Sequence, residues 1–311
     1  MQLKEVLASA IARLTAARVP SPRMNAELLL RFVLNCDRAY FFAHPEREIT
    51  DAERSCYDEA LAERSRGVPA QYITGHQEFW GMDLIVTPAV LIPRPETEHL
   101  IETALEVLGT KFPSRAAGTG DGIAADGPAA AAARVGGSSR RLRIADVGTG
   151  SGCVALALAK ELPHAEIQAT DVSAAALEIA RANAARLQLE HRIQFIQADL
   201  LGNLSPPFDL VVSNPPYVGE SEEDQVQLEV RKFEPRTAVF AGHTGTEVIA
   251  RLIPQARAAL RPGGWLLLEV SGSIAQPVRR LLDGWDSVQI TADLQSLPRV
   301  ARAQAPPGAL A

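Results

Sequence analysis

The sequence predicts an α/β protein in which a small N-terminal helical bundle precedes a doubly wound, mostly parallel sheet. Two patterns carry this prediction: apolar residues recur at three- and four-residue spacing over residues 1–72, and strand and helix patterns alternate after residue 142. The length of 311 residues agrees with it, because domains contain roughly 100–200 residues each. We therefore assign residues 1–75 to a helical domain, 76–93 to a β-hairpin hinge and 94–311 to a second domain.

The composition is that of a globular protein with a small excess of acidic over basic side chains. Hydrophobic residues make up 47% of the chain, and 31 basic side chains stand against 37 acidic ones. The apolar content excludes wholesale disorder, and the acidic balance argues against a protein whose main role is to bind a phosphate backbone. No apolar run approaches the roughly 20 residues of a membrane span, because Arg13 interrupts the best N-terminal candidate. We expect neither a membrane span nor a secretory signal.

Cysteine and histidine usage predicts a reduced protein without a metal. Cys36, Cys56 and Cys153 are widely spaced, and none belongs to a paired-cysteine motif of the kind that binds zinc. The six histidines contain no pair at four-residue spacing. We therefore expect no metal site, and a cytoplasmic location is the default.

The N-terminal domain is predicted from three helical patterns. The first covers Val6–Leu14, the second runs to Val33 after the start signal at Ser21 and Pro22, and the third covers Asp51–Arg66 with Thr50 as its cap. Residues 1–72 carry ten basic and ten acidic side chains, so this domain has no net charge. A bundle of this size has too small a core to make an enzyme by itself a good hypothesis. Binding or positioning of a partner is the better hypothesis for its role.

The predicted hairpin and a proline-rich run connect the two domains. Phe79, Trp80 and 84–86 form strand patterns around Gly81. The run Ile92–Glu98 then enters a helix that extends to about Leu108. Within the second domain, residues 113–140 contain nine alanines and six glycines in 28 positions, which predicts a flexible insertion.

The rest of the second domain alternates strands with helices, as repeated β-α-β units of a parallel sheet do. The predicted helices are Cys153–Leu162, Ala174–Leu187 and Glu247–Leu260. The predicted strands are Leu142–Val147, Ile167–Thr170, Ile193–Ile196, Phe208–Ser213 and Trp265–Val270, with weaker candidates at Ser287–Thr291 and Arg299–Ala301.

A glycine-rich loop lies where the first of these strands ends and a helix begins. It runs Asp146-Val147-Gly148-Thr149-Gly150-Ser151-Gly152, so glycines let the chain turn sharply and let a ligand approach the backbone. A dinucleotide loop would need glycine where Cys153 stands, and the chain has no phosphate-loop motif. The spacing resembles the S-adenosylmethionine loop of class I methyltransferases. A plain tight turn is the alternative.

Acidic residues follow the next two strands. Asp171 ends the second strand, where a carboxylate accepts hydrogen bonds from ribose hydroxyls, and Asp199 follows the third, where it would meet an adenine amino group with Leu200 against the ring. Each acid alone is more often a strand-end residue. Together, at neighbouring strand ends beside the glycine loop, they predict a nucleoside site. Asp146 agrees with this but would equally hold the loop in shape.

The tetrapeptide Asn214-Pro215-Pro216-Tyr217 directly follows the fourth strand. The prolines fix the backbone and remove two N–H donors, Asn214 adds an amide oxygen, and Tyr217 adds an aromatic face with a polar tip. The result is a rigid set of acceptors for a planar –NH₂ group. Accepting both N–H bonds on Asn214 and the Pro215 carbonyl would orient that nitrogen and stabilise the charge it gains in methyl transfer. A strand-ending turn is the alternative.

With these motifs, the chain resembles the bacterial release factor glutamine methyltransferase (PrmC/HemK) family. The residues that carry the resemblance are 71–75, Leu91–Glu98, Asp146–Gly152, Asn214–Tyr217, Phe233–Ala238, Gly263–Glu269 and the tail from Asp293 to Val300. The resemblance implies a class I methyltransferase fold with a mostly parallel seven-stranded sheet. It implies S-adenosylmethionine as cofactor, bound by residues 148–152, Asp171, Asp199, Leu200 and Asn214, with residues 214–217 as the catalytic and substrate-binding set.

The resemblance also implies the substrate. The N-terminal domain would dock a peptide chain release factor, and the enzyme would methylate the side-chain nitrogen of the glutamine in its Gly-Gly-Gln motif. The run Arg94–Glu98 favours this family over ribosomal-protein glutamine methyltransferases, which usually lack it. We expect a monomer with no direct nucleic-acid partner.

Two further alternatives remain at this stage. An adenine-amino DNA methyltransferase would use the same acceptors, but would want a basic recognition domain, and residues 1–72 are charge-balanced. A non-catalytic nucleotide-sensing or translation-binding module is disfavoured by the intact Asn214–Tyr217 motif, because binding alone does not require it.

Overall fold

A computed structural model describes residues 1–109 and 140–307, and it confirms the predicted α/β architecture. The N-terminal domain consists of α1 (Leu3–Ala16), α2 (Pro22–Val33), α3 (Arg38–Ala43), α4 (Asp51–Ser65) and α5 (Ala70–Thr74). The short helices α3 and α5 were not predicted, because six and five residues give too few turns for a periodic pattern. The predicted insertion at 113–140 falls, apart from Arg140, outside the described residues.

The N-terminal helices form a small core of their own. Leu3, Val6, Ala10 and Leu14 bury one stripe of α1, at the spacing that puts them on one face. The helix α4 begins with a capping box, in which the Thr50 hydroxyl and the Glu53 carboxylate bond each other's backbone N–H. These features explain why the sequence pattern predicted the long helices correctly.

The predicted hairpin exists and packs on the sheet domain. Strands β1 (His76–Phe79) and β2 (Met82–Ile85) are antiparallel, with Trp80 and Gly81 at positive φ in the two-residue turn. Phe79, Met82 and Leu84 are buried in the same core as the helices against the sheet. The hairpin is therefore built into the packing of the second domain.

The second domain holds one seven-stranded sheet. Its strands are β3 (Arg143–Val147), β4 (Glu166–Asp171), β5 (Ile193–Gln197), β6 (Phe208–Ser213), β7 (Leu260–Glu269), β8 (Asp286–Ala292) and β9 (Pro298–Gln304). The order is β5-β4-β3-β6-β7-β9-β8, with β3 to β7 parallel and β9 antiparallel to both of its neighbours. Both weak strand candidates of the sequence are thus confirmed as β8 and β9.

Helices pack on both faces of this sheet. The helices described in the second domain are α6 (Glu98–Val107), α7 (Cys153–Glu161), α8 (Ala174–Arg186), α9 (Leu228–Phe233), α10 (Arg236–Val239), α11 (Glu247–Ala259) and α12 (Ala275–Leu281). On β6, Leu210 and Val212 belong to one hydrophobic core, while Val211 belongs to the core on the other face. Burial on both faces explains why the central strands are continuous apolar runs. Within residues 1–109 and 140–307, no helix is both long and apolar enough to cross a membrane.

Three polar side chains join the parts of the chain. Arg64 of α4 is 3% exposed and donates to Asn25 of α2 at 2.8 Å and to Glu229 of α9 at 2.6 Å. The Tyr72 hydroxyl donates to the Val90 carbonyl at 2.7 Å. Asn183 of α8 bonds both backbone groups of Ile85 and the Ser151 carbonyl, at 2.6 to 3.0 Å. The helical domain, the hairpin and the glycine loop are therefore held in one arrangement.

Candidate active site

A cavity of about 300 Å³ lies at the carboxyl ends of the parallel strands. Strand β3 pairs with β4 on one side and β6 on the other, so the chain changes direction across the sheet at this point. Open α/β sheets bind ligands at such a switch point. The predicted residues that line the cavity are Asp146, Gly148, Thr149, Gly150, Ser151, Asp171, Asp199, Leu200, Asn214, Pro215 and Pro216.

The glycine loop is shaped for a ligand. Gly148, Gly150 and Gly152 all have positive φ, which other residues rarely adopt. A Cβ at Gly152 would come within 3.2 Å of Ala180, so that glycine allows close helix packing. A Cβ at Gly148 or Gly150 would meet no described protein atom within 4 Å. The space beside these two glycines is therefore open to a bound molecule, as the predicted nucleoside site requires.

Asp171 both shapes the loop and faces the cavity. Its Oδ2 accepts a hydrogen bond from the Gly150 N–H at 2.9 Å, and its Oδ1 accepts one from the Ser173 N–H at 2.9 Å. Each carboxylate oxygen can accept a second hydrogen bond. Asp171 thus orients the loop backbone and keeps acceptor capacity at the cavity, and its contact with ribose hydroxyls stays a prediction.

Asp146 holds the loop from below. It is 1% exposed, and its Oδ2 accepts from the Thr149 hydroxyl at 2.6 Å and from the Ala155 N–H at 3.2 Å. Burial raises the pKa of this carboxyl to about 7, and the two hydrogen bonds oppose the rise. Of the two roles that the sequence allowed for Asp146, these contacts support the structural one.

The predicted adenine end of the cavity contains an ion pair that sequence reasoning missed. The Asp199 side chain is 58% exposed and pairs with Arg251 of α11. Leu200 is buried at positive φ, and its carbonyl accepts from the Thr170 hydroxyl at 2.7 Å. Val172 also lines this end of the cavity and is 56% exposed. Apolar and acidic groups therefore meet here, as an adenine ring with an amino group needs.

The Asn214 amide is held by a residue far away in sequence. Asn214, Pro215 and Pro216 line the cavity directly after β6. The Asn214 Nδ2 donates a hydrogen bond to the Thr97 hydroxyl at 3.1 Å, and Thr97 is 1% exposed. With its nitrogen engaged, the Asn214 amide oxygen is left as an acceptor without a partner among the described residues, and its contact with a substrate stays a prediction.

Tyr217 lies behind the other three residues of its motif. It is not among the residues that line the cavity, and its ring packs on the core that contains Ile249 and Leu252. Its hydroxyl donates to Glu269 Oε1 at 3.3 Å. Burial, together with the nearby Glu269 carboxylate, raises the pKa of Tyr217, so the hydroxyl stays protonated. This position favours a supporting role for Tyr217 over contact with a ligand.

The segment Phe233–Arg236 connects the cavity lining with the proline-rich run. The sequence alone gave no role for this segment. Glu234 is 5% exposed, accepts from the Ile92 N–H at 3.1 Å and forms an ion pair with Arg94. The neighbouring Pro235, Thr237 and Ala238 line the cavity. Glu234 therefore fixes the proline-rich run against the site.

Sequence reasoning gave no role to four polar residues that hold this site in place: Thr97, Glu234, Arg251 and Glu269. Thr97, Glu234 and Glu269 lie inside segments that the family resemblance had singled out, so a signal existed without a role. Glu269 also ends β7, as Asp171 ends β4. Arg251 lies within a helix and had no signal in the sequence.

The fold and this site define a class I methyltransferase. Residues 135–232 match the methyltransferase small domain, and residues 5–75 match the PrmC N-terminal domain. The catalytic domain of hMettl16, solved in complex with MAT2A 3'UTR hairpin 6, is similar in fold, with a TM-score of 0.51 at 18% identity over 82% of each chain.

Curated relatives then identify the family. The chain is 49% identical to a release factor glutamine methyltransferase of Koribacter versatilis, over 98% of this chain and 99% of the relative. It is 39% identical to a release factor glutamine methyltransferase of Deinococcus radiodurans, over 98% of this chain and 99% of the relative. The chain belongs to the release factor glutamine methyltransferase family. It is an enzyme, and its methyl donor is S-adenosylmethionine.

Proposed function

We propose that this enzyme methylates the side-chain amide nitrogen of the glutamine in the Gly-Gly-Gln motif of peptide chain release factors. One observation carries the proposal: Asn214 and two prolines line the same cavity as the glycine loop, and the Asn214 amide is held so that its oxygen is free to accept. The names of the near full-length relatives support the substrate.

Residues of the sheet's carboxyl edge bind the methyl donor in this proposal. The open space beside Gly148 and Gly150 receives the cofactor, Asp171 accepts from its ribose hydroxyls, and Asp199 and Leu200 contact its adenine. When bound, S-adenosylmethionine supplies an electrophilic methyl group. The residues named here hold it in place.

Asn214 and Pro215 orient the glutamine in this proposal. An amide nitrogen is a poor nucleophile because its lone pair is conjugated with the carbonyl. The Asn214 side-chain oxygen and the Pro215 carbonyl accept its two N–H bonds, which points the lone pair at the methyl group. The same acceptors stabilise the positive charge that develops on nitrogen, and their rigid setting supplies this without reorganisation.

The N-terminal domain docks the release factor in this proposal. A cavity of about 300 Å³ admits a side chain and a cofactor, so most of a protein substrate must bind outside it. The helix α2 exposes Met24, Leu28 and Phe32 at four-residue spacing on one face. Arg64 connects this helix to α9, which leads into the cavity rim. We further propose that the enzyme acts as a monomer in the cytoplasm.

Methyl-group labelling tests this function. The protein is incubated with methyl-labelled S-adenosylmethionine and one of four acceptors: a release factor, its Gly-Gly-Gln glutamine→alanine variant, a large-subunit ribosomal protein, or DNA. We expect label on the unaltered factor alone, with peptide mapping placing it on the glutamine. Label on DNA, on the ribosomal protein or on the variant factor would contradict the proposal.

A further inference from the structure

We propose that Thr97 is a positioning residue, which sets the orientation of the Asn214 amide through the hydrogen bond that its hydroxyl accepts from that amide. This inference rests on the proposed function, because it concerns the group that binds the glutamine. It adds a residue from the run Pro95–Glu98 to a site otherwise built from the strand ends of the sheet. The contact that carries it joins two segments that lie 117 positions apart in the chain.

An asparagine amide can adopt two orientations in the same site. Its oxygen and nitrogen exchange places when the amide turns by half a revolution, and the two arrangements fill almost the same volume. Only one of them presents an acceptor to a substrate –NH₂ group. In the other, two sets of N–H donors would face each other, and the site would repel the group it has to hold.

Thr97 selects the productive arrangement by accepting from Asn214 Nδ2 at 3.1 Å. The Thr97 hydroxyl is 1% exposed, so water does not compete for this bond. A hydroxyl can donate as well as accept, however, and a donating Thr97 would select the wrong arrangement. Its proton therefore has to be bound elsewhere.

Glu269 is the group that can take this proton. It is 3% exposed, and its Oε2 is buried without a hydrogen-bond partner among the described residues. Its Oε1 accepts from the Tyr217 hydroxyl at 3.3 Å. Burial raises the pKa of the Glu269 carboxyl, and the nearby hydroxyls of Thr97 and Tyr217 oppose the rise. An ionised carboxylate can only accept hydrogen bonds, so the unpartnered Oε2 is an acceptor toward which the Thr97 hydroxyl can turn its proton. An ionised Glu269 thus leaves the Thr97 oxygen free to accept.

Tyr217 contacts the same carboxyl group. Its hydroxyl donates to Glu269 Oε1 at 3.3 Å, so Glu269 holds the far end of the Asn214–Tyr217 motif. The charges of Glu96 and Arg299 act on the pKa of this carboxyl in opposite directions.

Thr97→Val tests the inference, because valine keeps the shape and removes the hydroxyl. At pH 8 we expect kcat with a release factor to fall about tenfold, the effect of one hydrogen bond of ordinary strength. The KM for the factor and the Kd for S-adenosylmethionine, measured by calorimetry, should stay within about twofold because both binding surfaces remain. Thr97→Ser should restore most of kcat, since it returns the hydroxyl.

Two controls separate positioning from folding. Thr103 of α6 is also buried, but its hydroxyl donates to the His99 carbonyl of its own helix at 2.8 Å. Thr103→Val should leave kcat within about twofold of the wild-type value. In an Asn214→Ala background, Thr97→Val should cost nothing further, because the amide that Thr97 orients is gone.

The outcomes distinguish this inference from the proposed function. A wild-type enzyme that does not label the release factor would contradict the function itself. A wild-type enzyme that labels it, together with Thr97→Val at full kcat or an undiminished Thr97→Val effect in the Asn214→Ala background, would overturn the positioning role alone.

Discussion

At the scale of single residues, the site depends on neutral polar groups whose orientation is fixed by neighbouring residues. Asn214 has no unusual chemistry of its own, but Thr97 holds its amide and two prolines follow it in a rigid turn. A preorganised acceptor at a developing charge stabilises a transition state more than a mobile one does. The arrangement therefore relies on geometry, and no strong base is needed before attack.

Replacing Asn214 tests this view. Because Asn214→Ala removes one preorganised acceptor, we expect kcat to fall by about 10²–10³. Binding of S-adenosylmethionine should change by less than about threefold, since the glycine loop and Asp171 are untouched. Single-turnover kinetics and calorimetry measure the two effects. Loss of cofactor binding to the same extent as activity would contradict the role given to Asn214.

Glu269 links the site to the pH dependence of stability. Burial raises its pKa from an ordinary value of 4.5 to about 7, so the folded protein retains a proton that the unfolded chain releases. The stability from this residue is complete below pH 4.5 and is lost as pH rises to about 7. Relative to Glu269→Gln, the wild type should lose up to about 1.4 kcal/mol per pH unit across this window.

Urea unfolding at several pH values between 5 and 8 measures this difference. The buried Asp146, whose pKa burial also raises to about 7, is present in both proteins and cancels in the comparison. A free-energy difference between the two proteins that does not change with pH would show that Glu269 titrates normally.

At the scale of elements, short segments connect distant parts of the fold. The helix α9 contacts the N-terminal domain through Glu229 and leads within a few residues to Glu234, which fixes the proline-rich run at Arg94. A six-residue helix is not stable on its own. Its contacts on both sides therefore determine where it lies, and through it the two domains share one site.

Arg64 is expected to be essential to this connection. Arg64→Ala removes a buried guanidinium that bonds Asn25, Val68 and Glu229, and should lower the free energy of unfolding by about 3 kcal/mol. The nearby Arg66 is a matched control, because its side chain is 65% exposed and its pair with Glu63 is worth about 0.5 kcal/mol. Chemical denaturation of both variants makes the comparison, and equal losses would refute the buried role.

At the scale of the whole molecule, the proposed function divides binding of the substrate from the chemistry. The sheet domain holds the cavity, and the helical domain adds a surface at a distance from it. This division suits a protein substrate, because most of its contacts are made far from the reacting amide. Binding energy from such remote contacts positions the reacting group.

The exposed face of α2 provides the test of this division. A Leu28→Ser and Phe32→Ser double variant should raise the KM for a release factor about tenfold and leave kcat unchanged. Its kcat/KM for a short Gly-Gly-Gln peptide should not change, because such a peptide does not reach α2. Leu281→Ser is the matched control, since Leu281 is a 39% exposed leucine on α12. An unchanged KM for the factor would contradict docking at α2.

The sequence by itself determined the fold class, the glycine loop and the Asn214–Tyr217 motif. These features are local: a strand, the turn that follows it and the residue types at that turn lie within a few positions of one another. Apolar patterns also predicted the long helices and all seven strands of the sheet, two of them as weaker candidates. The short helices α3, α5, α9, α10 and α12 were not predicted, because the position of a short helix depends on its neighbours more than on its own pattern.

Only the tertiary structure decided which side chains act together. Thr97 and Asn214 are 117 positions apart, and Arg94 and Glu234 are 140 positions apart. Asp199 and Arg251 are separated by 52 positions. Local propensity carries no information about such partners, because a hydrogen bond or ion pair forms only where packing brings its two groups together. The sequence therefore predicted most of the site residues that line the cavity, and the folded chain supplied the contacts that orient them.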